Sequence, residues 1–413
     1  MNLEDGLHSS NFEHVAAILE QLNYTGPVAA ATDETVCVKS LRHYNGFIVG
    51  AQGGDISFVD GNNIEKIVKS TVSSGNLCSK IQAYTIQVPL PNMSTFIVAV
   101  IASRSKENAS DVAAQHHTFF CECQSAGINV LSLGSDGAPT ELAAQEQIIE
   151  STTQYLTYSN NNLDVFVKVP LLGENLMPVV LVQDPKHARK TAANQLLSRA
   201  RVLAFGRYYV DIQQLATILQ DANSPIYKRD VFDCDRQDNG RAYSNGISPQ
   251  SFKIFSTMAL RLIGLIISHC QFYSSIPLMP WKHGTEPLEH AFGWMRVISP
   301  NFTVLDARQM IPKIHAVVKS LASGMVNFEG SEHIHAGYKH AFANEKAPTH
   351  TNHLCHFPND EEITFKLNAA KTYATSLAAF VGMHDSPVVD DSELHSNLTS
   401  CDDVFVCLNQ GTT

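Results

Sequence analysis

The chain lacks a long hydrophobic run, a paired-cysteine motif and any surplus of basic residues, and each absence removes a class of function. Its most apolar stretch, "LIGLIISHCQFY" at 262–273, is 12 residues long, whereas a membrane-spanning helix needs about 20. A core helix is expected there, and no membrane. The opening "MNLEDGLHSSNFEHV" is acidic and has no apolar signal core, so secretion is not expected. The 9 cysteines (Cys37, Cys78, Cys121, Cys123, Cys234, Cys270, Cys355, Cys401 and Cys407) form neither a CxxC pair nor a disulfide framework. They read as free thiols of a reducing, intracellular compartment. A net charge of −11 repels nucleic acid unless a local basic surface overrides that field. No GxxxxGK[ST] phosphate loop is present.

What is present describes an ordinary globular protein, with 44% apolar and 17% charged residues in 413 positions, enough for two domains or one large domain with an insertion. Residues 11–22 form an amphipathic helical pattern. "TVCVKSL" (35–41), "GFIVGAQ" (46–52) and "ISFVD" (56–60) read as hairpin strands broken by Asn-Gly and Gly-Gly. "QAYTIQVPL" (82–90) and "TFIVAVIAS" (95–103) continue the strands, and 108–126 is helical with a closing glycine. Two continuous apolar runs follow, each ending on an aspartate: "INVLSLGSD" at Asp136 and "MPVVLVQD" at Asp184. Such runs suit strands covered on both faces. From 187 to about 280 the pattern is helical, 284–300 is another helix, and polar residues accumulate after 330. The order predicts an α/β layer with a mixed sheet, whose ligands collect outside the carboxyl ends of its strands.

Four acids stand at candidate positions, each with two readings that local sequence leaves open. Asp136 emerges from a buried strand into Gly137-Ala138, as a site residue or as the Asx-turn that ends the strand. Asp33, in "AAATDETV" just before a β-branched run, is either a ligand or a solvated strand-edge acid. Asp184 heads "DPKHARK" and fits a helix N-cap. In "GTEPLEHAFGWMR" (284–296), Pro287 at the first helical position would make Glu286 the N-cap and Glu289 the third residue, favoured there by the helix dipole alone. Leu288, Phe292 and Met295 make one buried stripe, and Glu289, Gly293 and Arg296 the stripe beside it. A carboxylate next to a glycine gap could equally reach a metal.

Lys186, His187, Arg189, Lys190, Arg199, Arg201 and Arg207 form the most basic stretch, either a solvated helix surface or a phosphate-contacting one. The late histidines (His333, His335, His340, His350, His353, His356) with Cys355 match no standard zinc spacing.

Taken in order, "DETVCVKSLRHYNGFIVGAQGGD" (33–55), "LGSDGA" (133–138), "QDPKHARKTAANQLL" (183–197), "DRQDNGRAYS" (235–244) and "EPLEHAFGWMR" (286–296) resemble the P-element and THAP9-like transposase group, particularly its fungal relatives. The resemblance spans about 30–330. It implies an RNase H-like mixed five-stranded sheet with flanking helices and a helical insertion before the last catalytic helix. The implied layout is an N-terminal helical segment (1–26), the first part of the core (27–204), the insertion (205–280), the last part of the core (281–330) and a peripheral or partly disordered tail (331–413). It further implies catalytic and metal-binding roles for Asp33, Asp136 and Glu289, which would hold two Mg²⁺ ions for cutting and joining DNA, with Glu286 or Asp184 in support. DNA contacts would come from Lys186, His187, Arg189, Lys190, Arg199 and Arg296. Transposon ends as substrate, a homo-oligomer and nuclear residence follow from the same likeness. The chain shows no zinc-finger DNA-binding module at the start and no match to the family's guanine-nucleotide residues in the insertion, which speaks against GTP. Two functions therefore stand: a strand-cleaving and strand-joining enzyme, or a catalytically inactive transposon-derived scaffold that binds DNA or protein.

Overall fold

The computed structural model describes residues 3–188 (except 92, 94 and 105), 203–205, 208–210, 217, 249–322 and 351–380. Internal contacts divide the chain into two compact units, Met1–His187 with Thr257–Pro358, and Ala188–Ser256 with Asn359–Thr413. Arg189, Lys190, Arg199, Arg201 and Arg207 lie outside the described residues, as do His333, His335, His340 and His350.

In chain order the first unit carries α1 (Ser9–Gln21), β1 (Val28–Val36), β2 (Arg42–Tyr44), β3 (Phe47–Val49), β4 (Ile56–Ser57), α2 (Gly61–Ser73), β5 (Lys80–Gln87), β6 (Thr95–Ala102), α3 (Ala109–Ser125), β7 (Val130–Ser135), α4 (Pro139–Glu150), β8 (Tyr155–Asn160), β9 (Val165–Leu172), β10 (Met177–Pro178) and β11 (Val180–Gln183). In the second unit β12 (Leu203–Phe205) and β13 (Tyr208–Val210) form an antiparallel hairpin. Helix α5 (Pro249–Phe272) follows, then α6 (Glu286–Ile298), α7 (Val304–Ala322) and α8 (Asp360–Phe380).

The central sheet runs β6-β5-β1-β7-β11. β5 is antiparallel to both its neighbours, while β7 is parallel to β1 and to β11. Counting only these five strands, the order is 3-2-1-4-5 with the second reversed, the arrangement of an RNase H-like sheet. Alternate residues of a strand face opposite sides. Ile81 and Ala83 therefore join one core with Leu288, Phe292 and Met295 of α6 and Ile311 of α7. Tyr84 and Ile86 join Val28 and Ala30 in another, under Phe12 of α1 and Phe119 of α3. Covering on both faces is why β7 and β11 read as continuous apolar runs.

Three expectations change. The first strand is Val28–Val36, so Asp33 sits within it rather than before it. Ala29, Ala30 and Ala31 are buried at the sheet's centre, and that packing overrides alanine's weak preference for strands. Helix α5 is 24 residues, twice the apolar run read from sequence, and by length and composition it is long and apolar enough to cross a membrane. One of its faces is nevertheless committed to protein: Leu265, with Leu260, Ile263 and Ile267 beside it, packs with Leu131, Val167, Val169, Val180 and Val182. Helix α6 begins at Glu286, with Thr285 as N-cap and no side-chain cap. Thr285 holds helical backbone angles and its carbonyl accepts from Leu288 and Glu289, which moves the start back one residue and removes the expected Glu286 cap.

Candidate active site

Parallel register fixes where the three aspartates stand. Ala31 pairs with Gly134, and Gly134 with Val182. Two residues further along each strand come Asp33, Asp136 and Asp184, so the three acids are level at one end of three adjacent strands, about 4.8 Å from strand to strand. Asp33 is still inside β1, paired with Ala83. Asp136 and Asp184 are the first residues past β7 and β11.

The bland readings of both later acids are realised without excluding the others. Asp136 Oδ1 accepts from the Ala138 amide at 3.0 Å, an Asx-turn. Asp184 Oδ1 accepts from the Lys186 amide at 2.9 Å, capping the helix that starts at Pro185.

Helix α6 lies over β1 and β5 and brings the fourth acid. Burial raises the Asp33 carboxyl to about 7; the Glu34 amide at its Oδ1 opposes this, and the charges of Asp136, Glu289 and Asp184 add to it. Burial likewise raises Asp136, against the Ala138 amide and the His187 charge. A carboxylate feels such neighbours only at short range, so acids distant in sequence share one field. Among the described residues no Lys, Arg or His stands within salt-bridge distance of Asp33, Asp136 or Asp184.

Glu289 differs. Its Oε2 accepts from Lys186 Nζ at 2.7 Å. Burial pulls Lys186 down, but Glu289, Glu286 and Asp184 outweigh it and raise its pKa. The lysine counted as a DNA contact is thus the cation that, among the described residues, forms an ion pair with one of these four acids. Among the described residues no three Asp, Glu, His or Cys side chains gather closely enough to hold a metal ion. Glu286 turns along its own helix, Oε1 to His290 Nε2 at 3.6 Å, and that pairing lowers its pKa. Arg296 donates to Thr35 Oγ1 on β1 and so clamps α6 two residues beyond Asp33.

The approach to α6 is set by features that local sequence did not disclose. Ser132 Oγ lies 2.7 Å from His283 Nδ1, both buried. Burial, and then His269, push His283 down to about 3, so its ring is neutral. A Cβ on Gly134 would stand 2.9 Å from the His283 carbonyl oxygen. The glycine of "LGSDGA" is therefore a close-approach residue that lets the chain pass into α6.

No protein-family model and no curated protein sequence matches this chain. Among solved structures it is similar to a chain of the Drosophila P element transposase strand transfer complex, at 10% identity and TM-score 0.47, over 77% of this chain and 82% of that one. A likeness this distant bears on neither activity nor substrate.

Proposed function

We propose that this chain is a transposase-derived, RNase H-like phosphotransferase that uses a divalent cation to cut and join DNA, with Asp33, Asp136 and Glu289 as its carboxylates and Asp184 beside them. The observation that carries this reading is the strand register that sets Asp33, Asp136 and Asp184 level at one end of three adjacent strands, with α6 packed on β1 and β5 and bringing Glu289; the charges of Asp136, Glu289 and Asp184 add to the burial that raises the Asp33 carboxyl. A cluster of that kind favours a bound cation over its own ionisation.

The donors fit magnesium by chemistry, since hard Mg²⁺ takes carboxylate oxygens and binds through one or two of them plus substrate phosphate. When bound, Mg²⁺ supplies Lewis-acid stabilisation of an in-line displacement at phosphorus. The residues do the rest. Asp33 and Asp136, level on neighbouring strands, offer the first two carboxylates. To join them Glu289 would give up its ion pair with Lys186. The Lys186 ammonium would then be free for a phosphate oxygen of the strand, while Asp184 accepts from the backbone amide of that lysine.

The Lys186–Glu289 pair and the lack of a ready three-donor set favour a second reading, a scaffold that binds DNA or protein without catalysis. Nicking of a supercoiled plasmid across a Mg²⁺ and Mn²⁺ titration separates the two. The enzyme reading expects metal-dependent nicking that Asp136→Asn abolishes while the fold survives. Wild-type protein that cuts no DNA at any metal concentration, with the variant melting identically, leaves the scaffold.

A further inference from the structure

The three aspartates alternate with three buried polar residues, and those residues are joined. Thr32, Ser135 and Gln183 immediately precede Asp33, Asp136 and Asp184, and so point to the other face of the sheet, under α3 and α4. Gln82 Nε2 donates to Thr32 Oγ1 at 3.0 Å and reaches Tyr84 Oη at 3.4 Å. Tyr84 Oη meets His116 Nδ1 at 2.8 Å, and His116 Nε2 meets Glu141 Oε1 at 2.9 Å. Gln145 Nε2 donates to Glu141 Oε1 at 3.3 Å and to Ser135 Oγ at 2.6 Å. Gln183 Nε2 closes the set by donating to Gln145 Oε1 at 2.6 Å. All eight side chains are nine-tenths or more buried.

One connected chain of hydrogen bonds thus runs from the residue beside the first acid, through a buried His-Glu pair, to the residues beside the second and third. Burial opposes ionisation of Glu141, but His116, Ser135 and Gln145 more than offset it and hold its carboxyl below the usual range. A buried carboxylate needs such partners, and removing one strands the others. An apolar layer would support the sheet as well. A polar chain that touches each of the three acid-bearing strands once, directly under the acid, adds directional links across the register that the backbone ladder sets.

We propose that His116 and Glu141 are positioning residues, which hold Asp33, Asp136 and Asp184 level through Thr32, Ser135 and Gln183. Resting on the metal reading above, this deepens it by naming what presets the site from the opposite face. The test uses Glu141→Gln, which keeps shape and removes charge, and Tyr84→Phe, which removes a single hydroxyl. Amide hydrogen exchange and Mn²⁺ affinity by electron paramagnetic resonance are measured on the full chain. Glu141→Gln is expected to speed exchange together in 30–36, 132–138 and 180–187, to leave Thr95–Ala102 of β6 at its wild-type rate, and to weaken Mn²⁺ binding about tenfold. Tyr84→Phe is expected to do the same to a smaller extent, and carries the test alone should Glu141→Gln fail to fold. Exchange that rises uniformly across the sheet, or only around 139–145, or not at all, overturns the proposal. Wild-type protein that binds no Mn²⁺ sinks the metal reading instead, and the exchange pattern still decides the positioning role.

Discussion

Two groups of acids in the first unit meet burial in opposite ways. Asp5 and Asp55 close on Arg308, whose Nη1 and Nη2 reach the two Asp55 oxygens at 2.6 and 2.9 Å and whose Nη2 also bonds Asp5. This guanidinium is almost fully buried and belongs to α7, so the pairing pins the N-terminal segment to the core. Asp33, Asp136 and Asp184 have no such partner among the described residues, and the one nearby ammonium is spent on Glu289. Where a fold only needs to bury acids, it supplies a fixed fork of donors. Where it levels three acids and leaves their charge in place, it keeps a stability penalty that a ligand can remove.

The comparison breaks most visibly at Arg308. Arg308→Ala turns the first cluster into one like the second and should cost about 3 kcal/mol, because Asp55 is left largely buried without its cation while Asp5, partly exposed, keeps only the Asp55 amide; urea melts that stay within about 1 kcal/mol of wild type would show that the fork is not what holds this cluster. Next in size is the cation itself. At pH 8, Mg²⁺ or Mn²⁺ at a hundredfold excess over its dissociation constant should raise stability by about 2.7 kcal/mol. Asp136→Asn should abolish most of that gain, and an equal gain in the variant would move the binding site elsewhere.

Third is the proton. The unfolded Asp33 carboxyl loses its proton near its ordinary value of 3.8, the folded one at about 7. Between those values the unfolded state binds fewer protons, so stability falls as pH rises through that window. Asp33→Asn should therefore be more stable than wild type at pH 8 by on the order of 2 kcal/mol, after allowance for screening, and equal to it below about pH 4. Paired melts at the two pH values check the sign, and a variant less stable than wild type at pH 8 would refute it.

The smallest effect belongs to Lys186. Its ion pair with Glu289 is half exposed, so Lys186→Ala should cost less than about 1 kcal/mol. It should nonetheless tighten Mn²⁺ binding, since Glu289 no longer has to exchange partners. Weaker Mn²⁺ binding in this variant would mean that the lysine assists the cation rather than competing with it.

How much of this could be read beforehand depended on whether a residue's role is local. The apolar runs of β5, β6, β7 and β11 and the buried stripe Leu288–Phe292–Met295 were legible because burial imposes a period. Helix α3 was legible at its end, through Gly127 in the left-handed region, whereas the Asn108–Asp111 capping box at its start went unread. Helix α2 went unread although Ile64, Ile67, Val68 and Val72 recur at helical spacing; Thr71 is its one fully buried residue, and the rest of that stripe is only half-buried or exposed. Asp33 was displaced to a strand edge because "VAAATD" carries little β-branching before Thr35. The partnership of Lys186 with Glu289 spans 103 positions, and that of Ser132 with His283 spans 151; no local pattern encodes either. Asp184 was read correctly as a cap, yet its level with Asp33 and Asp136 required the strand register.

The bare backbone at Gly134 has a consequence for how this chain tolerates change. Because the His283 carbonyl docks in that notch and the imidazole latches onto Ser132, β7 helps to set where α6, and with it Glu289, begins. A methyl group at position 134 would press on the His283 carbonyl oxygen and force the approach to α6, with Glu289 behind it, to shift.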